Sequence, residues 1–215
     1  MTVVEGVEGE VLVSIAIAPS AVDTTTGRRE RRAGRRAERR VLERLDALSA
    51  QLAELHAIRD LLARAEEIVG TGWVQGAWFT VATPRGERVV TAYDLRLVRD
   101  RPVTGACLVG AVVQAGGGPA AVRSQTVQRS LDLTWHALRE DDDRPVAWCR
   151  GPQVRALQVL DLTHWNDAPQ RIQGDVVDLL GAARRTAATE RDRRHAERAE
   201  LVPSRAGSVI AQSAT

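Results

Sequence analysis

The sequence predicts a mainly α-helical protein: a compact helical domain with a small β-hairpin, preceded by a long Arg-rich amphipathic helix. Three observations carry this expectation. Aromatic residues make up only 3% of the chain, so the core must be built from Leu, Val, Ile and Ala, which pack well in helices. Apolar residues recur at helical spacing along a proline-free stretch that follows Gly27. Two β-branched, alternating runs flank a Pro/Gly turn near residue 84 and read as a hairpin. The length of 215 residues allows one domain of ordinary size with something left over at each end.

Residues 1–27 hold the run Val11-Leu12-Val13-Ser14-Ile15-Ala16-Ile17-Ala18 between an acidic start and Thr24-Thr25-Thr26-Gly27. A strand without a partner is not stable alone, so this region is expected to be a flexible arm or an isolated strand. The run is too short to span a bilayer, and Glu5, Glu8 and Glu10 precede it where a signal peptide carries positive charge. No membrane partner is therefore expected. Cys107 and Cys149 lie far apart and make no disulfide framework, so a reducing cytoplasm is the expected compartment.

From Arg28 to about Val69 the pattern predicts one long helix, its first part, residues 28–56, standing outside the folded domain. Val41, Leu45, Leu48, Leu52, Leu55 and Leu62 form a heptad seam interrupted by Arg59. Arg28, Arg29, Arg31, Arg32, Arg35, Arg36, Arg39 and Arg40 fall within one half of that helix, at ~100° per residue. Ala33, Gly34 and Ala37 occupy the opposite half and lead into the seam. The arginines are thus expected to face outward and the leucines inward, with the Val41–Leu62 seam open to a protein partner or a second copy.

The folded domain is expected over residues 57–186. Its first helix should stop at Gly70-Thr71-Gly72, where glycine supplies a left-handed cap. The hairpin follows, as Trp73 to Ala82 and Arg88 to Tyr93 about Thr83-Pro84-Arg85-Gly86-Glu87. Thr104 is placed to cap a helix through Cys107 and Val113 that ends at Gly116-Gly117-Gly118-Pro119. Further helices are expected over Ala120–Arg139, from Pro152 to about Leu162, and from about Gln170 to Glu200. Residues 187–215 are read as a charged helix extension followed, from Pro203, by a small and polar disordered tail.

All thirty basic residues are arginine, because lysine is absent. That excludes mechanisms that need a lysine amine: phosphate loops of the Gly-x-x-x-x-Gly-Lys type, protein-kinase sites, Schiff-base aldolases and pyridoxal-phosphate enzymes. No cofactor is indicated. The chain carries a formal charge of only +2, yet residues 28–40 combine eight arginines with two glutamates. The basic character is therefore local, and any polyanion partner must be met there. A basic stretch running into leucines invites comparison with basic-zipper DNA-binding proteins. The seam is short for a self-sufficient coiled coil, Gly34 interrupts the run, and no Asn-x-x-Ala-Ala pattern occurs. A solvated helix face is the plainer reading, and nucleic-acid contact the sharper one.

Within the domain, Gly70-Thr71-Gly72-Trp73-Val74-Gln75-Gly76 has the look of a dinucleotide fingerprint but fails it. Its last glycine is one position late, and the segment leaves a helix instead of following a strand. Trp165-Asn166-Asp167-Ala168-Pro169 is a second dense polar and aromatic cluster. Read structurally, it is a tryptophan plug beside an Asx-type turn. Read functionally, Asn166 and Asp167 join Gln75 in a polar pocket walled by Trp73 and Trp165, suited to a small polar ligand or a peptide. Cys107, His136, Cys149 and His164 are the weak metal candidates, since their spacing matches no compact zinc pattern. Gly-x-Ser-x-Gly and His-Glu-x-x-His are absent, and nothing local points to a lowered thiol pKa.

Taken together, Gly72-Trp73-x-Gln75-Gly76-Ala77, Cys107-Leu108-Val109-Gly110-Ala111 and Trp165-Asn166-Asp167-x-Pro169-x-Arg171 resemble a domain of unknown function found in actinobacteria and their phages. The resemblance covers about residues 57–186. It implies a helical fold and adds Arg171 to the ligand-binding candidates, with no activity attached. One departure is visible: Ile172-Gln173-Gly174-Asp175 stands where Thr-x-x-Glu is expected to open the last helix, which leaves Asp167 as its alternative cap. Three functions follow in order: a non-enzymatic helical binding or regulatory module, a nucleic-acid-associated protein using the Arg28–Arg40 face, and a small hydrolase or metal-dependent enzyme.

Overall fold

The computed structural model describes residues 24–98, 101–139, 144–146, 148–149 and 151–212, with side chains omitted for 24–27 and 203–212. The arm expected over residues 1–27 thus lies almost wholly outside the described residues, as does the Asp141-Asp142-Asp143 loop. The protein is mainly helical, with a small antiparallel sheet and a long first helix. It divides into two compact units, residues 1–42 and 43–215. Of the first, the described part is the start of α1, Thr24–Thr71, and every side chain from Arg28 to Arg40 is exposed. Ala33, Gly34 and Ala37 are as exposed as the arginines, so the helix buries neither half there.

In the second unit the leucine seam turns into core. Leu48, Leu52, Leu55 and Leu62 are buried within the chain, whereas Leu45 is only partly covered. Ile58, Leu61, Leu62, Ala65 and Val69 join one hydrophobic cluster with the sheet and the remaining helices. Ion pairs flank this face of α1: Glu54 with Arg129 at 2.5 Å, Glu66 with Arg184 at 3.1 Å, and Arg44 with Glu197.

The helix ends at Thr71, where the Thr71 hydroxyl bonds the Glu67 carbonyl at 3.0 Å. The expected left-handed glycine cap is absent: neither Gly70 nor Gly72 has a positive φ. Gly72 is required for a different reason. A Cβ there would lie 2.2 Å from the Thr104 carbonyl oxygen, because the chain runs tightly beside a strand as it leaves the helix.

The expected hairpin forms, but from shorter strands that leave out residues 73–78 and 91–93: β1, Phe79–Thr83, and β2, Gly86–Val90, with Thr83 opposite Gly86 and Gly86 at φ 107°. A third strand, β3, Val103–Ala106, pairs with the other edge of β1 and gives the order β2-β1-β3. This corrects the expectation for Thr104, which caps no helix. Its hydroxyl instead bonds Thr80 Oγ1 across the sheet at 3.1 Å. Cys107 is the N-cap of α2, Leu108–Ala115, with its Sγ accepting the Gly110 N–H at 3.3 Å. Leu108 through Val113 are all buried, so α2 is apolar all round, the pattern of a helix at the centre of a core.

Gly117 and Gly118 take positive φ and stop α2 where expected. The next helix, α3, Gln125–Arg139, starts later than expected because Pro119–Ala121 forms a separate 3-10 turn. The following helix, α4, Pro152–Asn166, runs past Leu162 and so carries Trp165 and Asn166 on its last turn. The last helix, α5, Gln173–Gln212, begins at a half capping box: Asp175 accepts the Ile172 N–H at 3.1 Å. Asp167 is therefore the C-cap of α4 and has no part in opening α5. The helix also continues across Pro203, where the sequence suggests a disordered tail. All five tryptophans pack, partly buried, against the core, filling space between helices rich in small residues.

Candidate functional site

The sequence-predicted polar cluster does assemble, and its geometry follows from the exit of α1. After Gly72 the chain runs beside β3, with the Ala106 N–H donating to the Gly72 carbonyl at 2.9 Å. Trp73 and Gln75 thereby meet the last turn of α4. Asn166 is fully buried there and makes four hydrogen bonds. Its Oδ1 accepts the Trp73 indole N–H at 2.9 Å and the Leu108 N–H at 3.0 Å. Its Nδ2 donates to the Val74 carbonyl at 3.1 Å and to Asp167 Oδ1 at 2.8 Å. A carboxamide has two donors and two acceptor sites, so this one is saturated. The Leu108 N–H belongs to the first turn of α2, where no intrahelical acceptor exists. One side chain thus closes the start of α2, the end of α4 and the segment between α1 and the sheet.

Gln75 and Asp167 complete the same junction. Gln75 Nε2 donates to the carbonyls of Asn166 and Ala168, both at 3.0 Å, satisfying acceptors at the end of α4. Asp167 Oδ1 accepts the Gly76 N–H at 3.0 Å, at a turn where Gly76 has φ 68°. The residues expected to line a pocket do come together, but these polar atoms are engaged with the chain itself. Trp73 is tied to Asn166, whereas Trp165 faces elsewhere: the Arg171 guanidinium stacks over its ring at 4.2 Å and lies 3.6 Å from Asp175. Trp165 also borders a shallow groove of about 370 Å³ with Leu138, Arg139, Asp161 and His164. Asp161 accepts the Trp135 indole N–H and an Arg139 N–H there, each at 3.1 Å, and the indole bond foremost holds its carboxyl below the usual range.

The metal and nucleophile candidates do not converge. Cys107 is buried at the cap of α2, and burial pushes its thiol up to about 12, far from a thiolate at neutral pH. Cys149 donates its S–H to the Gly151 carbonyl at 3.2 Å. His136 is buried within α3, while His164 is exposed on α4. Among the described residues, no three His, Cys, Asp or Glu side chains are grouped to hold a metal ion.

Sequence reasoning missed two buried carboxylates and their ion pairs: Glu190, 2% exposed, which pairs with Arg193 and Arg194 on its own helix, and Asp132, which ties two helices together. Asp132 is 3% exposed on α3, and its two oxygens accept Nε and Nη2 of Arg155 on α4, each at 2.9 Å. The Cys149 N–H adds a longer bond to the same carboxylate at 3.4 Å. A signal existed in Leu131-Asp132-Leu133, an acid set among apolar residues of an amphipathic helix. Its partner, 23 residues away, carries no local mark.

The arginine stripe differs from both clusters. Among the described residues, no carboxylate pairs with Arg28, Arg29, Arg31, Arg32, Arg35, Arg36, Arg39 or Arg40, although ion pairs are frequent in the second unit. Helical spacing accounts for part of this. Carboxylates at pairing distance are few: Glu30 has no arginine three or four residues away, Glu38 has Arg35, and Glu43 has Arg39 and Arg40. By contrast Arg28 and Arg32, Arg31 and Arg35, Arg32 and Arg36, Arg35 and Arg39, and Arg36 and Arg40 are like-charge neighbours four residues apart.

No curated protein and no solved structure matches the chain. A family match spans residues 52–186, which takes in the Trp73–Gln75 segment, all three strands, α2 to α4, the Asn166 junction and the start of α5, and leaves the arginine stripe outside. Because that match covers more than half of its length, the chain belongs to the family of unknown function DUF6197.

Proposed function

We propose that the protein is a non-enzymatic helical module that engages nucleic acid through the Arg28–Arg40 segment of α1, with the Trp73–Asn166 junction holding the folded unit together. The observation that carries this reading is the exposure of eight arginines on thirteen consecutive exposed residues, none of them paired with a carboxylate among the described residues. Like charges four apart on a helix oppose its formation, and phosphates placed along the stripe would relieve that repulsion. The polar junction offers a ligand little by comparison, since the Asn166 amide and the Gln75 amide nitrogen are spent on backbone and side-chain groups of the chain itself. A hydrolase or metal enzyme finds no support in a protonated, buried Cys107 and dispersed histidines.

An arginine-for-lysine, alanine-rich composition fits GC-rich coding such as that of actinobacteria and their phages. A nucleic-acid partner suits the cytoplasm. A dimer through the Val41–Leu62 seam is not favoured, because Leu48, Leu52, Leu55 and Leu62 are covered by the same chain.

The test is fluorescence anisotropy of labelled nucleic acid titrated with the full chain and with a variant in which all eight arginines become glutamine. Glutamine keeps a good helix propensity, so helicity is retained while charge is removed. Arginine-dependent binding that weakens steeply with salt supports the reading. Equal binding by both proteins, or none by either, refutes it.

A further inference from the structure

We infer that the Arg28–Arg40 segment recognises the phosphate backbone of a nucleic-acid duplex without reading its sequence, an inference that rests on the nucleic-acid reading above. The residue inventory of the segment is the first argument. It contains only Arg, Glu, Ala and Gly. Single strands are held largely by stacking bases on aromatic rings, and no aromatic residue is present. Adenine is read by Asn or Gln amides, which are also missing; of the groups that could meet cytosine or thymine, Glu30, Ala33 and Ala37 lie on the far side of the helix and Glu38 at the margin, so base contact from the basic face falls to arginine.

The arrangement of charge is the second argument. Arg28, Arg32, Arg35, Arg36 and Arg39 fall within about 100° of helix surface, with Arg29, Arg31 and Arg40 at the margins. Glu30, Ala33, Gly34 and Ala37 occupy the far side. From Arg28 to Arg39 the helix rises about 17 Å, a length over which a duplex presents roughly ten phosphate charges. Each guanidinium offers a planar fork that matches a phosphate in a bidentate way, and an exposed helix fits the width of a major groove. An anionic lipid surface is the poorer match. Helices that lie on membranes bury an apolar face, and this segment has only two alanines and a glycine opposite its arginines.

The experiment uses the full chain with four probes: a labelled mixed-sequence duplex, its separated strands, a duplex of scrambled sequence, and vesicles containing phosphatidylserine. The expected result is duplex binding whose logarithm falls against log salt with a slope of about −4 to −7, from five to eight phosphate contacts. Scrambling the sequence should change affinity less than about threefold, whereas converting the eight arginines to glutamine should weaken binding about 100-fold or more. Tighter arginine-dependent binding to the single strands, or more than about tenfold selectivity between the two duplexes, overturns the duplex inference and leaves the nucleic-acid reading standing. Vesicle binding without nucleic-acid binding, or no arginine-dependent binding to any probe, overturns both.

Discussion

The indole N–H of Trp73 donates to the side-chain oxygen of Asn166 at 2.9 Å, joining residues 93 positions apart. The same oxygen accepts the Leu108 N–H, so one buried acceptor serves two donors from separate parts of the chain. Converting Asn166→Ala strands the indole, the Leu108 N–H and the Val74 carbonyl together. An unsatisfied buried group costs about 1–3 kcal/mol, and because Leu108 is buried while Trp73 and Val74 are partly covered, a loss of about 2–3 kcal/mol is expected. Trp73→Phe removes one donor and should cost less. Denaturant midpoints of the two variants give the order, and an Asn166→Ala protein as stable as wild type would reject the junction as the tie between α2 and α4.

The Asp132–Arg155 pair makes a sharper comparison. Removing one partner leaves a carboxylate that is 3% exposed without its counter-charge, a change that costs about 3–5 kcal/mol in buried pairs. Because the Arg155 side chain is 21% exposed, the lower end of that range is expected for Arg155→Met. The double change Asp132→Leu with Arg155→Met should recover most of the loss, since no charge is then left buried. A double-mutant cycle on unfolding free energies measures the coupling, and additive losses would show that the two side chains are not a unit.

These two clusters also show why the sequence resolves some features and conceals others. The helical class and the hairpin are local: leucine spacing, glycine runs and Thr83-Pro84-Arg85-Gly86 act within a few residues of themselves. Strand β3 is not local. Val103-Thr104-Gly105-Ala106 becomes a strand because Phe79–Val81 lies beside it, and nothing in those four residues separates that outcome from a helix cap. Trp73, Gln75, Asn166 and Asp167 were identifiable as neighbours by their density of polar and aromatic groups. Their role was hidden, because a ligand pocket and a saturated junction use the same residue types. Pro169 suggested a turn at Asn166, and only the course of α4 shows that its last helical residue is Asn166 itself. For the arginines, the sequence placed them on one half of a helix, but the exposure of the opposite half could not be read from spacing.

Glycine substitutions separate close approach from helix propensity. A Cβ at Gly72 would stand 2.2 Å from the Thr104 carbonyl oxygen, and one at Gly110 would stand 2.1 Å from the Trp78 carbonyl oxygen. Both obstacles are backbone and cannot rotate aside, so Gly72→Ala and Gly110→Ala should each cost about 1–3 kcal/mol. Gly34 has nothing within 4 Å of the same position and sits inside α1. Gly34→Ala should therefore gain about 0.8–1 kcal/mol of local helix stability, read as higher far-UV helicity with an unchanged unfolding midpoint of the second unit. A shared direction among the three variants would contradict the distinction.

Cys107 links the cap of α2 to pH. Burial raises its thiol from 9.0 to about 12 in the folded chain, so the unfolded chain ionises first as pH climbs. A group whose folded pKa is raised contributes its full stabilisation below the unfolded value and loses it as pH rises through the folded value. The contribution of Cys107 is thus intact below pH 9.0 and fades between there and about 12. Cys107→Ala removes the titrating group together with the Gly110 N–H acceptor, at a cost set by the lost cap, about 1 kcal/mol. The stability gap between wild type and Cys107→Ala should consequently narrow above pH 9.0, measured as unfolding free energy across an alkaline series. Thiol labelling gives an independent check. Cys107 should react only at the rate of opening or unfolding, and fast labelling in the native protein at neutral pH would contradict its burial.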